Sequence, residues 1–126
     1  IEAVAERSVW SLGVDTDQHA VLKDSAPEKA NVIITSALKL VGNALFEAFK
    51  DIEDESIEWG SVVRMGINEN AGGIAKNDFY TANVSSDIRT QIEALEAQVK
   101  SGAVVVPSAF DMTQDQINAL KDSVRP

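Results

Sequence analysis

The sequence predicts an α/β fold with a mostly parallel sheet flanked by helices. Strand-sized apolar runs alternate along it with stretches whose apolar residues recur every three or four positions. That alternation is the mark of layered folds in which helices connect neighbouring parallel strands. The length of 126 residues allows one domain with a real core.

The elements follow in order. Residues 1–7 (Ile-Glu-Ala-Val-Ala-Glu-Arg) read as the last turns of a helix, as expected for a piece of a longer polypeptide. Ser8 to Val14 reads as a short buried strand carrying Trp10 in the core. Residues 19–30 read as a polar connection with Pro27, and His19 as a solvated loop residue. Asn31 to Ile34 is a second apolar run. It leads into a helix capped by Thr35 or Ser36, with Leu38, Val41, Leu45, Phe49 and Ile52 on one stripe. Residues 53–58 are acidic and exposed, with Trp59 closing an apolar edge beside them.

Ser61 to Ile67 is a third strand candidate. Asn68 to Phe79, with three Asn and two Gly, reads as a loop in which Phe79 and Tyr80 serve as anchors. Ser85 or Ser86 caps a helix that has Asp87 in its first turn, Ile88, Ile92, Leu95 and Val99 on one stripe, and Gly102 at its end. Val104 to Val106 is a fourth strand closed by Pro107, and a last helix starts after Thr113. Residues 1–107 are thus expected to form the main α/β portion and 108–126 a helical extension.

Composition narrows the function classes. With 11 basic and 20 acidic side chains the net charge is −9. A pI near 4.4 argues against nucleic acid, whose affinity comes mainly from cations neutralising phosphates, and against anionic lipid. No apolar run approaches the ~20 residues of a membrane helix. The absence of cysteine excludes disulfides, thiolate metal sites and cysteine catalysis, and the single His19 excludes a histidine-rich metal site.

In open parallel sheets, ligands bind outside the carboxyl ends of the strands. The first strand ends in Asp15-Thr16-Asp17-Gln18. A carboxylate there can accept two hydroxyls of a vicinal diol, hold a cation or cap a turn. The second run, ending at Ile34, is followed by Thr35-Ser36-Ala37-Leu38-Lys39. Lys39 would fall in or just after the first helical turn, where a cation opposes the helix dipole by ~0.3–1 kcal/mol. It would there be a solvated lysine, a donor to a ligand hydroxyl or a partner of Asp15. The third candidate ends in Gly66-Ile67-Asn68-Glu69-Asn70-Ala71-Gly72-Gly73, which lacks both Gly-rich phosphate-binding patterns and reads as a surface loop.

Strand-Asp-x-Asp followed by strand-Thr/Ser resembles the opening of haloacid-dehalogenase-type phosphatases. That resemblance would make Asp15 the nucleophile, Asp17 the acid/base and Thr35 or Ser36 the second motif. His19 departs from the pattern, and the later acidic pair that completes a magnesium site is replaced by Asn68-Glu69-Asn70.

A second resemblance covers nearly all of residues 1–107. Leu12-Gly13-Val14-Asp15-Thr16-Asp17-Gln18, Ile33-Ile34-Thr35-Ser36-Ala37-Leu38-Lys39, Gly66 to Ala75, and Val99 to Pro107 occur in one order. They resemble the G-V-D-x-D-Q, strand-T-S-x-x-K, G-L-x-E-x-G-V-G-L-A and S-G-strand-V-P segments of the basic membrane protein family of ABC-transporter substrate-binding lipoproteins, which includes purine nucleoside receptors. The resemblance implies one lobe of a type I periplasmic-binding-protein fold, the C-terminal ligand-binding portion of a two-lobed receptor. It implies that Asp15 and Lys39 bind ribose hydroxyls, with Gly13 beside them shaping the backbone. It also implies a non-enzymatic protein without cofactor or metal, a nucleoside or similar small polar ligand, and an N-terminal lobe of the same polypeptide. A membrane ABC permease as partner, an extracytoplasmic location and self-association of a lone lobe through an exposed apolar face complete the expectation. The linker from Gln18 to Asn31 is longer than the family's, and Asn70-Ala71-Gly72-Gly73 departs from its loop. A stand-alone α/β sensor or interaction domain is the further alternative.

Overall fold

The computed structural model describes residues 1, 4, 6, 7 and 9–125. The chain falls into two compact units, Ile1–Glu93 and Ala94–Pro126. The first contains β1 (Ser11–Asp15), α1 (Gln18–Leu22), α2 (Pro27–Ala30), β2 (Ile33–Lys39), α3 (Val41–Glu53), β3 (Gly72–Ile74) and α4 (Asp78–Asn83). Helix α5 (Ser86–Lys100) runs across the division. The second unit also holds a 3₁₀ turn at Ala109–Asp111 and α6 (Gln114–Ser123). Of residues 1–7, read as a helix end, residues 2, 3 and 5 lie outside the described residues, as does the start of the predicted first strand at Ser8.

The sheet has the order β1-β2-β3. Its longer pairing, β1 with β2, is parallel, and the shorter, β2 with β3, is antiparallel. The chain is therefore α/β, with a mixed three-stranded sheet among the described residues. The β1–β2 register slips by one residue between Ser11 and Leu12 and then runs from Leu12↔Thr35 through Gly13↔Ser36 to Asp15↔Leu38.

Paired residues of a parallel ladder face the same side of a sheet. On the Gly13 and Ser36 side the core closes. Ser36 is wholly buried, and its Oγ accepts a hydrogen bond from the backbone N–H of Gln18 at 3.1 Å. Ala30, Ile33, Ala71, Ala75 and Tyr80 are the buried apolar residues. On the opposite side of β1, Leu12 and Val14 are exposed, at 71% and 59%.

Several expected elements are corrected. The helix expected from Thr35 or Ser36 begins only at Val41, because β2 continues to Lys39. Two ladders claim its backbone: Leu12 to Asp15 pair on one side, and Ala37 to Lys39 pair with Gly72 to Ile74 on the other. The Thr35 hydroxyl donates to the Ala75 carbonyl at 2.7 Å rather than capping a helix. Lys39 consequently sits on a strand end, directly before the Leu40 N-cap of α3, rather than inside the first helical turn.

Ser61 to Ile67 and Val104 to Val106 are not strands. Val62, Val63, Val105 and Val106 are exposed, so β-branched residues alone did not make a strand without a partner edge. The third strand lies instead at Gly72–Ile74, inside the expected loop, where pairing with β2 overrides the poor strand propensity of two glycines. The expected connection at 19–30 is folded into α1 and α2. Trp10 precedes β1 and is 55% exposed rather than core, and Trp59 is exposed as well.

The helix signals fare better. Ser85 caps α5, accepting from the Ile88 N–H at 3.4 Å, and Gly102 takes a left-handed φ of 76° beyond its end. Thr113 caps α6 in a reciprocal box with Gln116. Helix α3 carries the expected stripe from Val41 onward, Leu38 lying in β2 instead, and Val41, Leu45, Phe49 and Ile52 on it are exposed, together with Phe46. No helix among the described residues is long and apolar enough to cross a membrane.

Gly13 tests the packing of this unit. A Cβ built there would overlap Ser36 Oγ and lie 3.1 Å from the Cβ atoms of Ser36 and Gln18. Gly13→Ala is expected to cost about 1–3 kcal/mol, the range for overpacking a closed interior. Gly42 in α3 has open space around it, so Gly42→Ala should stabilise by about 0.4–1 kcal/mol. Urea unfolding midpoints at constant slope would read both changes.

Candidate functional site

The parallel pairing brings Asp15 and Lys39 to neighbouring strand ends. Asp15 closes β1 opposite Leu38, and Lys39 is the next residue of β2. With strands ~4.8 Å apart and a rise of ~3.3 Å per residue, their Cα atoms lie roughly 6 Å apart. Both residues are exposed; by strand alternation Lys39 faces the side opposite to Leu38, the partner of Asp15, and the left-handed turn at Asp15 is the departure from that alternation. Among the described residues neither side chain is tied by a hydrogen bond or ion pair.

Asp15 has a left-handed φ of 73°. For an L-residue this costs roughly 1–2 kcal/mol, least for Asp, Asn and Gly. Such strain persists only where the surroundings impose it. Here they do so on both flanks. Gln18 donates from Nε2 to the Val14 carbonyl at 3.0 Å, and its N–H donates to the buried Ser36 Oγ. Gly13 lies under this turn, and its missing side chain is what lets Ser36 and Gln18 approach.

Asp17 has a different position. Its Oδ1 accepts from the Ala20 N–H at 3.1 Å and caps α1. Asn77 Nδ2 donates to both of its oxygens, at 3.0 and 2.8 Å. Asn77 in turn caps α4, its Oδ1 accepting from the Tyr80 N–H at 2.8 Å. The carboxylate, the Thr35 hydroxyl and the Ser36 hydroxyl required by a phosphatase arrangement are therefore already committed to the fold. Among the described residues no group of three His, Asp or Glu side chains gathers as a metal site would.

Beside Lys39 lies an open hollow of about 290 Å³, lined also by Leu40, Val41, Ala44, Val63, Met65 and Ala71. An ammonium at the rim of an apolar depression can donate to a polar ligand group while the floor receives an apolar face. The turn at 66–72 forms one border of this region. Leu40 donates its N–H to the Ala71 carbonyl at 2.8 Å, and Asn43 Nδ2 donates to the Asn70 carbonyl at 2.7 Å. Within the turn, the Gly66 N–H donates to Glu69 Oε2 at 2.6 Å. That bond, followed by one from Glu69's own backbone, holds the Glu69 carboxyl below its ordinary value of 4.5.

A second, smaller hollow of about 160 Å³ is lined by His19, Ala20, Lys23, Asn77, Asp78 and Phe79. His19 is not a solvated loop residue. It lies on α1, half-buried, with Nδ1 bonded to the Ala30 carbonyl at 3.0 Å and its ring stacked on Phe79 at 4.1 Å. Trp10 meets the Phe79 edge at 6.0 Å. Phe79 thus anchors α4 to α1.

Sequence reasoning picked out Asp15 and Lys39 but missed Asn77, which it left in a loop. The available signal was an Asn preceding Asp78-Phe79-Tyr80, a helix N-cap pattern, though nothing local announced its distant partner Asp17.

No known protein-family model matches this chain, and no curated protein matches it. Among solved structures, the chain is similar to a crystal structure of ABC transporter system solute-binding proteins from Aeropyrum pernix K1. The TM-score is 0.61 at 19% identity, over 97% of this chain and 39% of that one. The likeness is one of fold: this chain has the α/β architecture of part of a periplasmic-binding-protein-type structure, and it spans well under half the length of that neighbour.

The Glu69 turn yields a pH prediction. A carboxyl with a depressed folded-state pKa contributes stability that is present above its unfolded value and lost as pH falls through the folded one. The contribution of Glu69 is therefore expected at neutral pH and should fade below about pH 4.5. Glu69→Gln should lower Tm at neutral pH and flatten its acid limb, a difference that paired thermal melts from pH 7 down to 3 would show.

Proposed function

We propose that this chain is part of the ligand-binding lobe of a solute-binding protein for an ABC importer, related to the basic membrane protein family. In this reading the ligand is a small polyhydroxylated molecule, a purine nucleoside or one like it. Asp15 accepts from two adjacent ribose hydroxyls, and Lys39 donates to a ribose oxygen. Gly13 shapes the backbone beneath them. The protein binds and releases without turnover and needs no cofactor.

The observation that carries this reading is the placement of an untied carboxylate and an untied ammonium on adjacent ends of paired parallel strands. That is where open α/β sheets receive ligands. The fold likeness to a solute-binding protein points the same way. The commitment of Asp17 to Asn77 and Ala20 weighs against a phosphatase using the same aspartates.

A receptor of this class works as a clamp, with a second α/β lobe of the same polypeptide closing over the ligand. The loaded protein then docks on a permease outside the cytoplasm, carried there as an exported lipoprotein. The apolar residues exposed on β1 and on α3 suit burial against further polypeptide. Expressed without such cover, the chain would associate with itself through that surface.

Calorimetric titration with adenosine tests the reading. A hydrogen bond to a charged group is worth about 1.5–3 kcal/mol, so Asp15→Ala and Lys39→Ala should each weaken binding about 10- to 100-fold. Binding that is equally strong in both variants, or turnover of a phosphate ester abolished by EDTA, would contradict it.

A further inference from the structure

Asp15 lies in a two-residue gap between fixed points. Before it, the Val14 carbonyl is held by Gln18 Nε2. After Thr16, Asp17 is bonded through both carboxylate oxygens to Asn77, 60 residues further along the chain. Asn77 is itself anchored to the sheet two residues upstream. Ala75 donates its N–H to the Ser36 carbonyl at 2.9 Å and accepts from the Thr35 hydroxyl at 2.7 Å. Ser36 closes the circuit, because its Oγ receives the Gln18 N–H. A closed circuit of hydrogen bonds and short chain segments therefore runs from β1 through the N-terminus of α1, across to the N-terminus of α4, and back through β2. The one strained residue on this path is Asp15, with its φ of 73°.

We propose that the Asp17–Asn77 pair is a positioning clasp, which holds Asp15 in its left-handed conformation and so aims its carboxylate at a ligand diol. Neither member touches the ligand. The inference rests on the reading of Asp15 as the diol acceptor and adds the residues that pre-organise it. Pre-organisation matters because a carboxylate that must be ordered at the moment of binding loses affinity to entropy. It also gives Asp17 a role distinct from that of Asp15, although the two stand only two residues apart.

The test exploits the chemistry of the pair. Asn77→Asp keeps a cap for α4 but sets two carboxylates against each other. Adding Asp17→Asn swaps the partners and restores one amide facing one carboxylate, with both helix caps intact. The intact chain is titrated with adenosine and with 2′,3′-dideoxyadenosine, which lacks the diol. The unmodified chain should prefer adenosine by about tenfold or more. Asn77→Asp should collapse that preference toward one while leaving dideoxyadenosine affinity unchanged, and the swapped double variant should recover it.

Loss of affinity for both nucleosides alike would show a purely structural pair and overturn the proposal. If the unmodified chain shows no preference, or Asp15→Ala keeps it, the diol reading itself fails and the clasp's function fails with it. The three-bond HN–Hα coupling of Asp15 provides a readout that needs no ligand. It should change in Asn77→Asp and return in the double variant, and a coupling that does not move overturns the proposal whatever the titrations show.

Discussion

The approach of β1 to β2 at Gly13 and Ser36 is the constraint on which the rest of this unit depends. Ser36 has no exposed surface, and its hydroxyl is the acceptor for the first N–H of α1. A side chain at position 13 would fill the space that hydroxyl occupies. From this contact follow the register that sets Asp15 opposite Leu38, the entry angle of α1 and the closed turn around Asp15. The site is thus an outcome of backbone packing first and of charge second. A carboxylate and an ammonium stand at adjacent strand ends because β1 and β2 pair in this register, and the glycine leaves room for the buried Ser36 hydroxyl to hold the turn that follows.

The energetic character of the unit is uneven. The Ser36 side is closed and hydrogen-bonded, whereas Leu12 and Val14 on β1 and Leu45, Phe46 and Phe49 on α3 are open to solvent. Among the described residues the buried apolar set is small, consisting of Ala30, Ile33, Ala71, Ala75 and Tyr80. Polar links that cross long stretches of sequence, such as Asp17 to Asn77 and Thr35 to Ala75, therefore carry an unusual share of the tertiary organisation. Each is worth about 0.5–3 kcal/mol, depending on charge and burial. In a unit with so few buried apolar residues, losses of that size are a large part of what holds it together.

The α/β class, an apolar first strand and the position of Asp15 at its end were legible from apolar runs and the strand-end rule, whereas the order in which the strands pair was not. The cap at Thr113 and the stop at Gly102 were legible because capping is local chemistry, written within four residues. The start of α3 was not. Thr35 and Ser36 are good caps and also acceptable strand residues, and the choice was made by Gly72 to Ile74, more than thirty residues away. The same non-local cause hid β3 inside a glycine-rich loop and left the valine runs at 61–67 and 104–106 without strand partners. Within the site, Asp15 and Lys39 could be chosen from sequence because their types suit a polar ligand. Asn77 could not, since its importance comes from its facing Asp17 across the fold.

Ligand recognition seated at the joined ends of β1 and β2 can be read by a nuclear magnetic resonance titration of the backbone amides with adenosine. Shifts should concentrate at residues 13–17 and 35–40, strongest at Asp15 and Lys39, with the His19–Phe79 hollow unmoved. Shifts centred on that hollow, or an adenosine response spread evenly over the chain, would contradict it.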